Sequence, residues 1–445
     1  MEVEIISQEI IKPSIPTPDH LTIFKRSFLD QISGRFLVRF ISFYPRKETN
    51  LTINQVTHQL KISLSQTLAL YYPLAGVYKD DSSIECNDKG ALFVTAHVHC
   101  NINELLNLPK FQQFHKLGTS SKFHEDGPFQ VFVQFNTFSC GGVAIFTCFS
   151  HMVIDMTTIS VFLKCWAAIS RGSQDDQSPG HPYPRYESLV LFPPKDSVPL
   201  GFSVVVKGSL LKDGRSIRKR FVFSAPAISD LKVKGSSKRV PDPTSVEVVS
   251  SFIWKHAMAA AKVVKGFQQP SVIFHAADLR RRMVPPLPEY SAGNIGSPIV
   301  AEYDKIDELE VKFGRLVKIL RLAKEKNKDE FVPKLLSSGG FDMMIKFLED
   351  WGEKCSNKDL NTYQFSSWCK IGLYEVDFGW GKPIWTSLVG GTEVESMYKN
   401  FVVLVDGSDG GIEAWLILEQ KEMAVLENDG EFLAYASPNP GIIIS

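Results

Sequence analysis

Residues 143–155, VAIFTCFSHMVID, constrain the fold more than any other stretch of the chain. The apolar run ending at Phe149 has the length of a buried strand, and a bilayer span would need about 20 such residues. FQVFVQFNTF (129–138) precedes it with nearly alternating character, and CGG at 140–142 separates the two. The pattern predicts a strand, a turn, and a central strand that ends near His151.

Helical spacing brackets this pair. Val56, Leu60, Leu64, Leu68 and Leu70 give 51–72 helical spacing, which stops at Pro73. TTISVFLKCWAAISRG (157–172) predicts a second amphipathic helix ended by Gly172. From 173 to 202 the chain turns rich in Pro, Ser and Asp with no sustained period, and reads as a crossover. Beyond it KRFVFS (219–224), VIFHAADL (272–279), NFVVLVD (400–406) and IEAWLIL (412–418) predict strands, and 245–264 and 310–327 predict helices. Strands and helices mix in both halves, so an α/β architecture of two layered domains is expected. The expected division is 1–175, a crossover 176–218, and 219–445.

Lys plus Arg and Asp plus Glu number 49 each, so the formal charge is zero and nothing favours a polyanion such as nucleic acid. A small-molecule substrate is expected. No stretch of 18 apolar residues exists, so no membrane helix is expected. The start, MEVEIISQEIIKPSIP, is acidic and broken by Pro, unlike a secretory signal. Seven Cys without CxxC spacing point to a reducing, cytoplasmic compartment.

Two segments can carry chemistry. In SHMVID (150–155) a histidine stands where a strand leaves the core, and imidazole titrates near working pH. Asp155, four residues on, either shares a face with His151 or caps the helix that follows. In YEVDFGWGKP (374–383), Gly379 and Gly381 permit sharp turns and Trp380 supplies an indole N–H; the alternative is a tight turn holding an aromatic plug. His97, His99 and Cys100 resemble metal ligands, but lack a further ligand and read as an exposed strand face. RSIRKR (215–220) reads as a solvated basic run, and the Gly-rich spots 389–391 and 407–411 as hairpin turns.

HxxxD at 151–155 followed by DFGWG at 377–381 resembles the plant BAHD acyltransferase family. LDQI (29–32), FYP (43–45), YYPLAG (71–76), FIWKH (252–256) and DLRRRMVPPLPEYSAGN (278–294) are similar to family segments in family order. The wording is most similar to the vinorine synthase branch. Three positions depart: Met156 replaces the Gly that often follows HxxxD, Val77 replaces an Arg, and Arg39 stands where that branch has Pro.

The resemblance implies two similar domains of mixed sheet with flanking helices, like chloramphenicol acetyltransferase, and a channel at their interface. It implies acyl-CoA, with acetyl-CoA expected, as co-substrate, no permanently bound cofactor or metal, a monomer, and an alcohol acceptor such as a monoterpenoid indole alkaloid. A malonyl or other acyl donor and a catalytically silent ligand-binding relative are the alternatives; a peptide-condensation domain also uses HxxxD but usually has a second His before it, where this chain has Phe149 and Ser150. His151 would be the general base, Asp155 would pair with Arg280, and Asp377 would fix the DFGWG turn. Trp380 is the oxyanion candidate, Ser251, Lys255 and Asn294 are coenzyme A candidates, and Arg39 either lies in the acceptor or acyl pocket or points to solvent or caps a strand.

Overall fold

The computed structural model describes residues 1–34, 36–45, 51–118, 128–172, 183–196, 198, 215–304, 310–389, 393–395 and 400–442. The expected crossover and the Gly-rich spot at 390–391 therefore lie largely outside the described residues. The first half carries β1 (Val3–Ile11), β2 (Ile23–Lys25), β3 (Leu37–Tyr44), β4 (Val77–Asp80), β5 (Ser83–Glu85), β6 (Ala91–Val98), β7 (Val131–Phe138) and β8 (Val143–Ser150). The second carries β9 (Arg215–Phe223), β10 (Ser271–Asp278), β11 (Gly296–Tyr303), β12 (Asn361–Ser367), β13 (Trp385–Leu388), β14 (Glu393–Glu395), β15 (Phe401–Asp406), β16 (Ile412–Glu419) and β17 (Ala436–Pro438).

These strands form two large mixed sheets. The first has the order β1-β6-β7-β8-β3-β13, and the second β11-β10-β12-β15-β16-β9-β14 with β17 on β9. A small sheet, β2-β5-β4, stands apart. The expected strand–turn–strand unit is β7 and β8, antiparallel with Val131 opposite Phe149. Every residue of both strands is buried, as expected of strands covered on both faces. The glycine-rich stretch 407–411 is the hairpin between β15 and β16, as expected.

Helices cover the first sheet where their apolar stripes dictate. Helix Ile53–Leu70 opens on a Thr52–Gln55 capping box and buries Leu60, Leu64 and Leu68 completely. It packs on helix Met156–Ser170, where the Trp166 indole donates to the Leu60 carbonyl at 3.1 Å. That second helix ends at Gly172, whose φ of +73° is open to glycine at little steric cost.

The segment 215–220 overturns the expectation of a solvated basic run. It is part of β9, and Arg220 is only 2% exposed. Its charge is tolerated inside because Glu413 of β16 accepts bidentate bonds at 2.8 and 2.6 Å. The Trp385 indole of β13 also donates to Glu413, at 3.0 Å, and its ring lies 5.0 Å from the Arg220 guanidinium carbon. A strand of the first sheet is thereby tied to two strands of the second. Trp385→Phe is expected to lower stability by about 1.5–3 kcal/mol, the range for hydrogen bonds to charged groups. The measurement is the urea midpoint at constant slope; an unmoved midpoint would deny the contact that role.

Candidate active site

β8 ends at Ser150, and each of the next residues is held from a different direction. The Ser150 hydroxyl meets the Tyr78 hydroxyl at 2.8 Å. The His151 N–H donates to the Phe36 carbonyl at 2.8 Å, and its carbonyl accepts from the Asn294 amide at 2.9 Å. The Met152 carbonyl accepts from the Arg26 guanidinium at 3.0 and 3.2 Å. The backbone that presents the imidazole is thus fixed by contacts independent of the imidazole itself.

Asp155 combines both roles expected of it. As N-cap of helix Met156–Ser170 it accepts from the Thr158 N–H at 2.8 Å and the Thr158 hydroxyl at 2.9 Å. Arg280 donates to its two oxygens at 2.8 and 3.1 Å, and the Ile295 N–H adds a bond at 3.1 Å. Burial alone would raise the Asp155 pKa, but the Arg280 charge and these hydrogen bonds outweigh it, leaving the carboxyl below its ordinary range. Arg280 is 1% exposed and also donates to Asp278 at 2.9 Å.

A further buried network was not visible in the sequence. Asp30, fully buried, accepts from the Ser27 hydroxyl at 2.7 Å and from the Asn294 backbone and side chain at 2.8 and 2.9 Å. Arg26 donates to the Asp30 carbonyl as well as to that of Met152. The only signal was LDQI at 29–32 within a family-like segment; Ser27 and Arg26 are near in sequence, but Asn294 and Met152, which tie the network to the site, lie more than a hundred residues away.

His151 lines a cavity of about 480 Å³ walled by residues of both sheets. Phe36, Phe274, Phe347, Trp351, Phe365 and Trp415 supply much of an apolar surface, and Arg39, Asp155, Asp278 and Arg218 also reach it. Such a chamber has the size and apolar walls of a small-molecule site and brings a ligand beside the imidazole.

The other expected site residues divide. Asp377 holds its turn: its carboxylate accepts from the N–H groups of Gly379 and Gly381, both at 2.8 Å, and those glycines have φ near +108° and +107°. Trp380 does not line the cavity. Its indole is 7% exposed and stacks on Phe378 with centroids 5.4 Å apart, so the oxyanion role expected of it has no geometric basis. Ser251 is fully buried on helix Ser245–Lys265 and is not part of the cavity wall either. Lys255 lies outside the wall and is held by Glu431 at 2.7 and 2.9 Å. Both therefore stand away from the cavity that His151 lines. Asn294 lines the cavity, but its amide N–H groups are spent on Asp30 and His151. Arg39, on β3, lines it too. Val77 opens β4 and is absent from the wall. His97 contacts the Thr137 hydroxyl at 3.2 Å and His99 contacts Glu4 at 3.3 Å.

Comparison with known proteins places the whole chain in one family. The model of the Transferase family matches residues 1–433. Akuammiline synthase 2 of Alstonia scholaris is 35% identical, over 99% of this chain and 98% of its own. Limonoid 1-O-acetyltransferase of Citrus sinensis is 36% identical over the full length of both. A crystal structure of vinorine synthase has a TM-score of 0.81 at 31% identity, covering 98% of each chain. Family model, whole-length relatives and shared fold converge on one assignment: the chain is an acyltransferase of the Transferase, or BAHD, family.

Proposed function

We propose that the chain transfers an acyl group, acetyl in the first instance, from its coenzyme A thioester to a hydroxyl of a plant specialised metabolite such as an indole alkaloid or a limonoid. His151 is the general base. The observation that carries this reading is the placement of His151 on the wall of the shared cavity, its backbone anchored through Phe36 and Asn294. A neutral imidazole removes the alcohol proton as oxygen attacks the thioester carbon. The tetrahedral oxyanion collapses, the carbon–sulfur bond breaks, and the proton passes to the departing thiolate. Asp155 positions rather than relays, because five donors already occupy its oxygens. Asp377 fixes its turn, and Arg39 belongs to the substrate cavity.

The acceptor is apolar and polycyclic in this reading, to match aromatic walls. Malonyl-CoA is the second donor considered, because a guanidinium lines the same cavity. The protein is further proposed to act as a monomer in the cytoplasm. All seven cysteines are unpaired, consistent with a reducing compartment, and no helix among the described residues is long and apolar enough to cross a membrane.

The test is incubation of the pure protein with acetyl-CoA or malonyl-CoA and a panel of alkaloid, limonoid and phenolic alcohols. Ester products are weighed by mass spectrometry. Absence of any ester, with coenzyme A thiol unreleased, would leave the silent-relative reading standing. Since both substrates must be bound before transfer, initial-rate plots are expected to intersect. Parallel lines or a trapped acyl-enzyme would instead indicate a covalent route.

A further inference from the structure

Arg39 is a permanent charge in an apolar chamber. It sits on β3 opposite Cys148 of β8, and its guanidinium contacts that thiol. Burial pushes the Cys148 thiol up to about 12 despite the pull of Arg39, so the thiol is neutral and balances nothing. The two carboxylates on the cavity wall, Asp155 and Asp278, both bond to Arg280. Among the described residues no carboxylate pairs with Arg39. A second guanidinium, that of Arg218 on β9, reaches the same cavity from the other sheet.

Arg39 is half-buried and pairs with no carboxylate among the described residues, so an anion that enters the cavity meets an available guanidinium. The planar fork of arginine takes a carboxylate or a phosphate through two parallel N–H···O bonds, and a carboxylate is the anion that a small acyl group or acceptor can bring. We propose that Arg39 is a specificity-determining residue that holds a carboxylate carried by one of the two substrates. It is either the free carboxylate of a dicarboxylic acyl thioester or one borne by the acceptor alcohol. The inference deepens the acyl-transfer reading and rests on it, but its measurement is binding and does not require turnover.

Trp351, Trp368 and Trp415 line the cavity, so tryptophan fluorescence reports occupancy. The parent protein is titrated with malonyl-CoA against acetyl-CoA, and separately with oleanolic acid against its methyl ester. In at least one pair the acid is expected to bind about tenfold more tightly or better, as for a hydrogen bond to a charged group. In Arg39→Leu, and in Arg39→Gln should the leucine variant not fold, that ratio is expected to fall towards one. The pair that responds identifies which substrate bears the carboxylate. The proposal is overturned if neither acid is preferred by the parent, or if the preference survives substitution. It is also overturned if substitution weakens acid and neutral ligands equally, which would make Arg39 a contact for the shared coenzyme A or ring portion. Failure of the parent to release thiol from any acyl-CoA would instead defeat the acyl-transfer reading, and the binding ratios would still decide the role of Arg39.

Discussion

His151→Ala is expected to lower kcat by about a hundredfold or more, the usual worth of a positioned general base. The Michaelis constant for the acyl thioester should move much less, because the imidazole acts on the alcohol proton. The variant should remain folded. What holds this stretch in place is main chain: the His151 N–H on Phe36, the His151 carbonyl on Asn294, and the Met152 carbonyl on Arg26. Removing the imidazole touches none of these. Thermal unfolding measured beside turnover separates the two effects. Near-full turnover in a folded variant would eliminate His151 as the base.

Asp155→Ala is expected to be damaging by a different route. It leaves Arg280, 1% exposed, with one of its carboxylate partners missing, and it uncaps helix Met156–Ser170. Breaking a buried ion pair costs about 3–5 kcal/mol, and losing an N-cap about 1 kcal/mol. The retained bond from Arg280 to Asp278 keeps the total near the lower end of that range. Asp155→Ala and Arg280→Ala should be strongly non-additive in a double-mutant cycle, whereas additive effects would reject the pairing. The pH dependence has a definite sign. The folded-state pKa of Asp155 is depressed, so its stabilisation is full above the ordinary carboxylate pKa of about 3.9. It is lost as pH falls through the lower, folded-state value. The stability gap between the parent and Asp155→Asn should therefore close on acidification through that window. A gap that widened instead would contradict the assignment.

How much of this was legible in the sequence follows from the range of the signals. β7, β8 and the helices at 53–70, 156–170 and 245–265 were read from periodicity, which is a local property. The pairing of Asp155 with Arg280 was implied by family resemblance, since nothing local links residues 125 positions apart. Ser251, Lys255 and Trp380 were placed by motif order, which does not say which way a side chain points. One proved buried, one tied to Glu431 and one stacked in the core. The basic run at 215–220 misled because its counter-charge, Glu413, lies 193 residues away. Local charge density reads as solvation when its partner is out of view. The bonds from Arg26 to Met152 and from Asn294 to Asp30 escaped for the same reason, and β13 is only four residues long.

That short strand has a consequence for how the protein can be made. β3 pairs with β8 on one side and β13 on the other, and Trp385 stacks on Phe43 with centroids 5.5 Å apart. During synthesis the first sheet is therefore unfinished until the ribosome has released residues 385–388, long after the rest of its strands have emerged. For that interval β3 offers a bare rim of N–H and C=O groups beside exposed aromatic surface, which invites pairing with another nascent chain. A fragment ending at the crossover would hold that state permanently, so the first half is a poor choice for separate expression, and recombinant yield should depend on chaperone supply and on slow translation across the second half.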